Sequence, residues 1–137
     1  METNVLNQFE SSKLSIENGI LFCTLNHTDC YLSESRILTY LSKIEEITKG
    51  EPVPFVIDVR KFVGNFSPTA AKLFADSPIL KTIISQVFIA DTLNGKLLIS
   101  SYSRLFGNNA NIRIFNQMEA ALAYCVESQN LFYADKG

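Results

Sequence analysis

The chain has 137 residues, of which 47% are hydrophobic and 19% are charged, and its net charge is −2. This size and composition predict one folded domain over residues 1–137. The weak negative charge offers no basic surface to a nucleic-acid backbone or an anionic membrane. The three cysteines are an odd number, and we find neither a signal peptide nor an apolar run near the ~18 residues of a membrane helix. We therefore expect a cytoplasmic domain with no nucleic-acid partner and no membrane span.

The first predicted structure is a β-hairpin. Lys13–Glu17 and Ile20–Leu25 flank Asn18-Gly19, a pair typical of the two-residue type I′ turn, in which both central residues have positive φ. Apolar side chains occupy both alternating faces of Ile20–Leu25, which predicts an interior position in the sheet.

Two helices and a strand follow the hairpin. Ser33 is the expected N-cap of the first helix, and Gly50 follows its last turn. The next strand is an apolar run that ends at Asp58. A loop containing Asn65 then leads to the second helix, for which Ser67 is the expected N-cap.

A turn is predicted at Lys81–Ile84, a strand at Gln86–Ala90 and a second turn at Asn94-Gly95. A helix is predicted at Leu98–Phe106, a strand at Ile112–Phe115 and a last helix from Asn116 to about Ser128. Residues 1–12 and 129–137 are predicted as tails that are flexible or that make contacts. The order β-β-α-β-α-β-α-β-α predicts an α/β domain with a mixed, mostly parallel five-stranded sheet.

Three residues of metal-binding type lie near the only histidine, His27. They are Cys23, Asp29 and Cys30, and zinc accepts all four side chains. However, Cys23 lies within a predicted strand whereas the others follow in a loop, and the sequence has no Cys-x-x-Cys pair. We therefore interpret the cluster as accidental and expect no metal or other cofactor.

A serine hydrolase would have to use His27, with Ser67 and Asp58 completing a triad. The sequence has no Gly-x-Ser-x-Gly elbow, and His27 follows a different strand from Asp58. A glycine-rich phosphate loop is also missing from the sequence. These observations predict a protein that is not an enzyme.

Ser67 has two interpretations. As an N-cap, its hydroxyl would accept a hydrogen bond from its own helix, a contribution of about 1 kcal/mol. As a phosphorylation site, it would place roughly two negative charges at the positive end of the helix dipole. The spacing favours the N-cap. Asp58 likewise either organises the following loop or contacts a partner, and the first role is the commoner one.

Five blocks of the sequence together resemble a known family. The blocks are LSIENGILFCTL, PFVIDVRKF, FSPTAAKLFA, QVFIAD and IRIFNQMEAALAYC. They are similar to the SpoIIAA-like, STAS-type domains, and more narrowly to small STAS-like bacterial proteins of unassigned function. The similarity extends from about Lys13 to Glu127 and implies the same α/β fold.

In the anti-sigma-factor antagonists of this family, a strand ends in aspartate, and a serine or threonine at the next helix start is phosphorylated by a partner kinase, which releases the partner. The resemblance implies these roles for Asp58 and Ser67. The family pattern there is Asp-Ser/Thr-Gly, whereas this chain has Asn65-Phe66-Ser67-Pro68. The candidate residues for phosphorylation or interaction are therefore Ser67, Asp58 and Asn65.

Three hypotheses about function result. The first is a non-enzymatic STAS-like regulatory or protein-interaction module that is switched at Ser67. The second, implied by the lipid-transfer branches of this fold, is a module that binds a lipid or small apolar molecule in a groove near Tyr102. The third is a homodimer held by the apolar tail Leu131–Tyr133.

Overall fold

A computed structural model describes residues 13–25, 31–62, 65–106 and 112–136. The strands are Lys13–Glu17 (β1), Ile20–Thr24 (β2), Tyr31–Leu32 (β3), Val53–Asp58 (β4), Asn65–Phe66 (β5), Ile83–Ile89 (β6) and Ile112–Phe115 (β7). The α-helices are Glu34–Thr48 (α1), Pro68–Asp76 (α2), Leu93–Phe106 (α3) and Met118–Lys136 (α4), with a 3₁₀ turn at Pro78–Thr82.

The main sheet has five strands in the order β1-β2-β4-β6-β7. Strands β1 and β2 are antiparallel, and each later neighbour pairs in parallel. The predicted fold class, a mixed and mostly parallel five-stranded sheet, is therefore confirmed. A second sheet joins β3 and β5 in parallel and was not predicted.

The predicted hairpin is present between β1 and β2. Asn18 and Gly19 have φ values of 54° and 77°, as a type I′ turn requires. Glu17 and Ile20 are paired on either side of the turn. Because β2 is hydrogen-bonded to both β1 and β4, its predicted interior position is confirmed.

The sheet is covered on both faces, with a different number of helices on each. Side chains of β2 alternate, so that Leu21 and Cys23 join one buried cluster and Ile20 joins the other. Helices α1, α2 and α3 contribute to the first cluster, whereas the second receives Ala121 and Cys125 from α4. The domain thus consists of a three-helix layer, the sheet and a one-helix layer.

Two predicted boundaries in the middle of the chain are wrong. The predicted turn at Lys81–Ile84 is instead the end of the 3₁₀ turn followed by the start of β6 at Ile83. Asn94-Gly95 lies in the first turn of α3. The cause is Thr92, whose Oγ1 accepts a hydrogen bond from the Gly95 backbone N–H at 3.0 Å and so begins a helix.

The last helix extends further than the sequence pattern indicates. Helix α4 continues through Lys136, so the predicted tail is helical over residues 129–136. The Tyr133 hydroxyl donates to the Pro52 carbonyl at 3.3 Å, and the Gln129 amide donates to the Gly19 carbonyl at 3.1 Å. These bonds hold the end of α4 against the loops that begin β2 and β4. The other predicted tail, residues 1–12, lies outside the described residues.

A pair of glycine substitutions tests the contact between α4 and the hairpin. Gly19 and Gly50 have nearly the same φ, +77° and +78°, but a Cβ at Gly19 would lie 2.8 Å from the Gln129 amide nitrogen while a Cβ at Gly50 would meet nothing within 4 Å. We expect Gly50→Ala to lower the free energy of unfolding by about 1 kcal/mol through backbone strain. Gly19→Ala should lose more, because it also displaces Gln129.

Urea unfolding measures both losses. In a Gln129→Ala background the two glycine variants should lose equal stability. Equal losses in the wild-type background would show that the Gln129 contact does not stabilise the fold.

Candidate functional site

Strand β4 ends at Asp58, whose carboxylate binds the residue two positions later. Its Oδ1 accepts hydrogen bonds from the backbone N and the Nε of Arg60, both at 3.0 Å, and its Oδ2 accepts from Nη2 at 2.7 Å. The side chains of Asp58 and Arg60 are 14% and 35% exposed. This geometry is that of a loop organiser, because both carboxylate oxygens are engaged by the loop's own residue.

The loop that Asp58 organises is a tight turn with buried apolar side chains. The Val59 N–H donates to the Ile89 carbonyl at 2.9 Å, and the Phe62 N–H donates to the Val59 carbonyl at 3.1 Å. Both Val59 and Phe62 are buried. The polar pair of Asp58 and Arg60 therefore fixes a turn whose apolar residues pack into the core.

The surroundings of Asp58 favour its charged form. Burial alone would raise the pKa of its carboxyl group, but hydrogen bonds from the Arg60 side chain and backbone, together with the charges of Arg60 and Lys61, outweigh that effect and lower the pKa below its ordinary value. The same partnership raises the pKa of Arg60. Asp58 is thus an anion committed to an ion pair at neutral pH.

Ser67 is the N-cap of α2, as predicted. Its hydroxyl oxygen accepts a hydrogen bond from the Ala70 N–H at 2.9 Å, and its carbonyl accepts from the Ala71 N–H at 3.0 Å. Pro68 occupies the start of the helix, where its missing N–H leaves no donor without a partner. The half-buried hydroxyl is therefore tied to its own helix. Phosphorylation at Ser67 stays a prediction.

A second serine begins a helix beside it. Ser33 caps α1 and accepts a hydrogen bond from the Arg36 N–H at 3.3 Å. The residues just before the two serines form the small parallel sheet, in which Tyr31 pairs with Asn65 and Leu32 with Phe66. Asn65, the third predicted candidate, is thus a strand residue of this sheet. Two serine-capped helices consequently start side by side at the edge where β2 and β4 end.

The pairing of β3 with β5 is not predictable from the sequence pattern. Each strand has two residues, which is too short for a periodic pattern to be recognised. The remaining signal was that Ser33 and Ser67 are similar helix starts, each following a strand by a short loop. That similarity could have suggested that the two starts are neighbours.

A cavity of about 90 Å³ lies between the sheet and the three-helix layer. Its aromatic lining residues are Tyr40, Phe55, Phe62, Phe74, Phe88 and Tyr102. Aliphatic side chains, Cys23 and Ala71 form the rest of the wall, and none of the described lining residues is acidic or basic. A water-sized probe needs roughly 10–15 Å³, so this volume holds several such probes.

The cavity and the predicted site share residues. Val59 and Phe62, from the turn organised by Asp58, are in the cavity wall. So are Ile37 and Ala71, whose N–H groups donate to the carbonyls of Ser33 and Ser67, both at 3.0 Å. The edge of the sheet that carries Asp58 and Ser67 therefore lies directly over one end of the cavity.

Of the cysteine-histidine cluster, the described residues include Cys23. Cys23 is in the cavity wall. His27, Asp29 and Cys30 lie outside the described residues, and His27 is also the histidine of the rejected triad. Within the described ranges, no group of three or more His, Cys, Asp or Glu side chains is arranged to hold a metal ion. Cys125, on the opposite face, is buried, and burial raises the pKa of its thiol to about 11.

None of the helices in the described part of the chain combines the length and the apolar character that crossing a bilayer requires.

The architecture is that of a SpoIIAA-like α/β domain. It is similar to the crystal structure of an uncharacterized protein of the DUF3478 family, with a SpoIIAA-like fold, from Shewanella loihica PV-4. The TM-score is 0.59 at 14% sequence identity, and the match covers 83% of this chain and 91% of the other. The predicted resemblance to the SpoIIAA-like fold is confirmed, and an identity this low shows the fold alone.

The chain belongs to the DUF7793 family, a domain of unknown function, whose model matches residues 14–128. No curated protein matches the sequence. The match begins at Leu14, the second residue of β1, and ends at Ser128, so residues 129–136 of α4 lie beyond it.

The ion pair at the end of β4 gives a pH-dependent prediction. Because the pKa of Asp58 is lower in the folded than in the unfolded chain, its stabilising effect is present above about pH 4 and is lost as the pH falls through the folded value. We expect Asp58→Asn to lower the free energy of unfolding by about 1 kcal/mol at pH 7. The difference from wild type should shrink at pH 3.

Asp76→Asn is the matched control, because Asp76 pairs with Lys72 on an exposed helix surface where both side chains are more than 60% exposed. It should change stability little at either pH. A constant Asp58→Asn deficit between pH 7 and pH 3, measured by urea unfolding, would contradict the assigned ion pair.

Proposed function

We propose that this domain is a non-enzymatic binding module whose cavity holds a small apolar molecule. The observation that carries the proposal is the cavity of about 90 Å³ between the sheet and helices α1, α2 and α3. Ligand sites are typically concave and lined mainly by apolar and aromatic side chains. A cytoplasmic location accompanies the proposal and rests on the odd number of cysteines in the sequence.

The apolar character of the wall supports the proposal. None of the described lining residues is acidic or basic, and the space that they surround is partly open to solvent. An apolar ligand that displaces water from this wall removes apolar surface from water, which contributes about 25 cal/mol per Å².

The character of the wall favours binding over catalysis. General acid–base or nucleophilic chemistry needs a positioned titratable group with a pKa suited to the reaction. Among the described lining residues, the titratable ones are Cys23, Tyr40 and Tyr102. Burial raises the pKa of the Tyr102 phenol, so this group is neutral at physiological pH. The proposal therefore assigns no catalytic residue.

Two neighbouring alanines in α2 allow a matched test. Ala70 and Ala71 are both buried, but only Ala71 belongs to the cavity wall. We expect Ala71→Leu to fill the cavity and to leave the stability unchanged or higher by up to about 1 kcal/mol. Ala70→Leu should instead overpack the core and lose about 1–3 kcal/mol. Urea unfolding distinguishes the two outcomes.

Binding is read from the same variants. Protein isolated under gentle conditions from the cells that naturally make it is analysed by native mass spectrometry and by solvent extraction. Wild type should release a small apolar molecule that Ala71→Leu does not carry. A wild-type chain that is ligand-free under these conditions, or an Ala71→Leu variant that retains the same molecule, would count against the proposal.

A second candidate function is protein interaction at the edge formed by the two serine-capped helix starts. The observation that favours it is the small sheet of β3 and β5, which holds the starts of α1 and α2 together. A phosphate on Ser67 would face the positive ends of two helices. This module would be regulatory, with Ser67, Asp58 and Asn65 at its contact surface.

Substitutions at the two caps test the second candidate. Ser67→Ala should lose about 1 kcal/mol, whereas Ser67→Asp should keep the cap because aspartate is also a good N-cap. A difference between the partners captured by wild type and by Ser67→Asp would then be due to the added negative charge and not to loss of the N-cap. We expect partners captured from the native lysate to differ for Ser67→Asp and not for the control Ser33→Asp. Identical partner sets for all three chains would exclude a switch at Ser67.

A further inference from the structure

The cavity wall contains a connected group of aromatic rings. Phe55 and Phe74 have ring centroids 6.4 Å apart and are tilted by 49°. Phe74 and Tyr102 are also 6.4 Å apart, with a tilt of 55°. Phe88 meets Tyr102 edge-on at 6.0 Å. All four residues line the cavity, so a ligand there would meet both faces and edges of aromatic rings.

Such a wall distinguishes aromatic from aliphatic ligands. Aromatic pairs in tilted and edge-to-face arrangements gain attraction beyond their buried area, because the negative face of one ring meets the positive edge of another. The rings already hold these mutual angles within the protein. A further ring placed among them can join the same pattern, whereas an aliphatic chain gains only the burial of its surface.

The volume restricts the size of the ligand. An engineered protein cavity of about 150 Å³ lined by Leu, Ile and Phe binds benzene. The present cavity, about 90 Å³, is smaller than that. One ring is therefore the upper limit for the part of a ligand that the cavity encloses.

The wall also gives no partner to a charged headgroup. The lining residues among those described include no lysine, arginine or histidine. Arg60 is next to the lining residue Val59, and its guanidinium is engaged by both carboxylate oxygens of Asp58. Lys43 and Lys72, which are also adjacent in sequence to lining residues, pair with Glu46 and Asp76. A buried carboxylate or phosphate without a partner is strongly disfavoured.

We infer that the cavity selects a neutral aromatic molecule of about one ring, in preference to an aliphatic molecule of similar size or a lipid with a charged headgroup. This inference rests on the proposed function, because it names the class of ligand for the same cavity. Recognition is by the ring group Phe55, Phe74, Phe88 and Tyr102.

Three probes test the inference with the full chain: benzene, cyclohexane and decanoate. Binding is measured by chemical-shift titration of backbone amides, and melting temperature is measured in parallel. Benzene should perturb amides that contact the cavity and not those of α4, and should raise the melting temperature. Its Kd should be about 2- to 12-fold lower than that of cyclohexane. Decanoate should bind more weakly than benzene.

The results distinguish a failure of the inference about ligand class from a failure of the proposed ligand-binding function. Cyclohexane binding as tightly as benzene, or decanoate binding more tightly, would overturn the inference while leaving a ligand-binding cavity in place. No binding by any of the three probes would overturn the proposed function together with the inference.

A matched pair of variants locates the selectivity. Phe74→Leu removes a ring from the cavity wall, and Phe115→Leu removes a ring from the opposite face, where Phe115 meets Tyr124 at 5.8 Å. The benzene preference over cyclohexane should fall toward one in Phe74→Leu and stay at the wild-type ratio in Phe115→Leu. The reverse result would show that the ring group is not the selective element, and the wild-type probe series decides the question if either variant is unfolded.

Discussion

The burial of β4 on both faces is the constraint on which the rest of the structure depends. Its residues from Val53 to Ile57 are all buried, so helices must cover both sides of the sheet. Helices α1, α2 and α3 connect successive parallel strands and lie on one face, with α2 between α1 and α3. Helix α2 has 9 residues, against 15 and 14 in its neighbours, and its buried side chains are Ala70 and Ala71. A short middle helix whose buried side chains are both alanines leaves part of the layer unfilled, and the cavity lies there, against Ala71 and Phe74.

This arrangement places two candidate sites close together in the structure. The helix starts at Ser33 and Ser67 form the surface at one edge of the sheet, and the residues four positions further on, Ile37 and Ala71, reach the cavity. The turn organised by Asp58 also belongs to both the surface and the cavity, because its residues Val59 and Phe62 line the cavity. A change in the first turns of α1 and α2 would therefore affect the cavity wall as well as the surface. The two proposed functions, binding of an apolar ligand and interaction with a protein partner, are thus compatible in a single domain.

Local signals allowed much of the fold to be predicted from the sequence. The Asn18-Gly19 turn and the Ser67 N-cap depend on residues within a few positions of one another, and the structure has both. The errors arose where distant contacts decide the conformation. Residues 129–136 continue α4, whose side chains at Gln129 and Tyr133 bond to loops early in the chain. The cavity could not be predicted from the sequence either, because periodicity indicates which residues face the core but not how completely they fill it. Asp58 and Ser67 could be placed at a strand end and a helix start because both features are visible in the local sequence.

The unequal covering of the sheet has a consequence for synthesis of the chain. The face that contains Ile20, Val56 and Val87 receives its helical cover from α4, which follows every strand of the described chain. On the ribosome, the three-helix side can close while the opposite side of the sheet still presents these apolar residues to solvent. Until α4 has docked, this face of the nascent domain lacks its helical cover, and exposed apolar surface of this kind favours association with other chains or with a chaperone. Docking of α4, secured by Gln129 and Tyr133, covers this face.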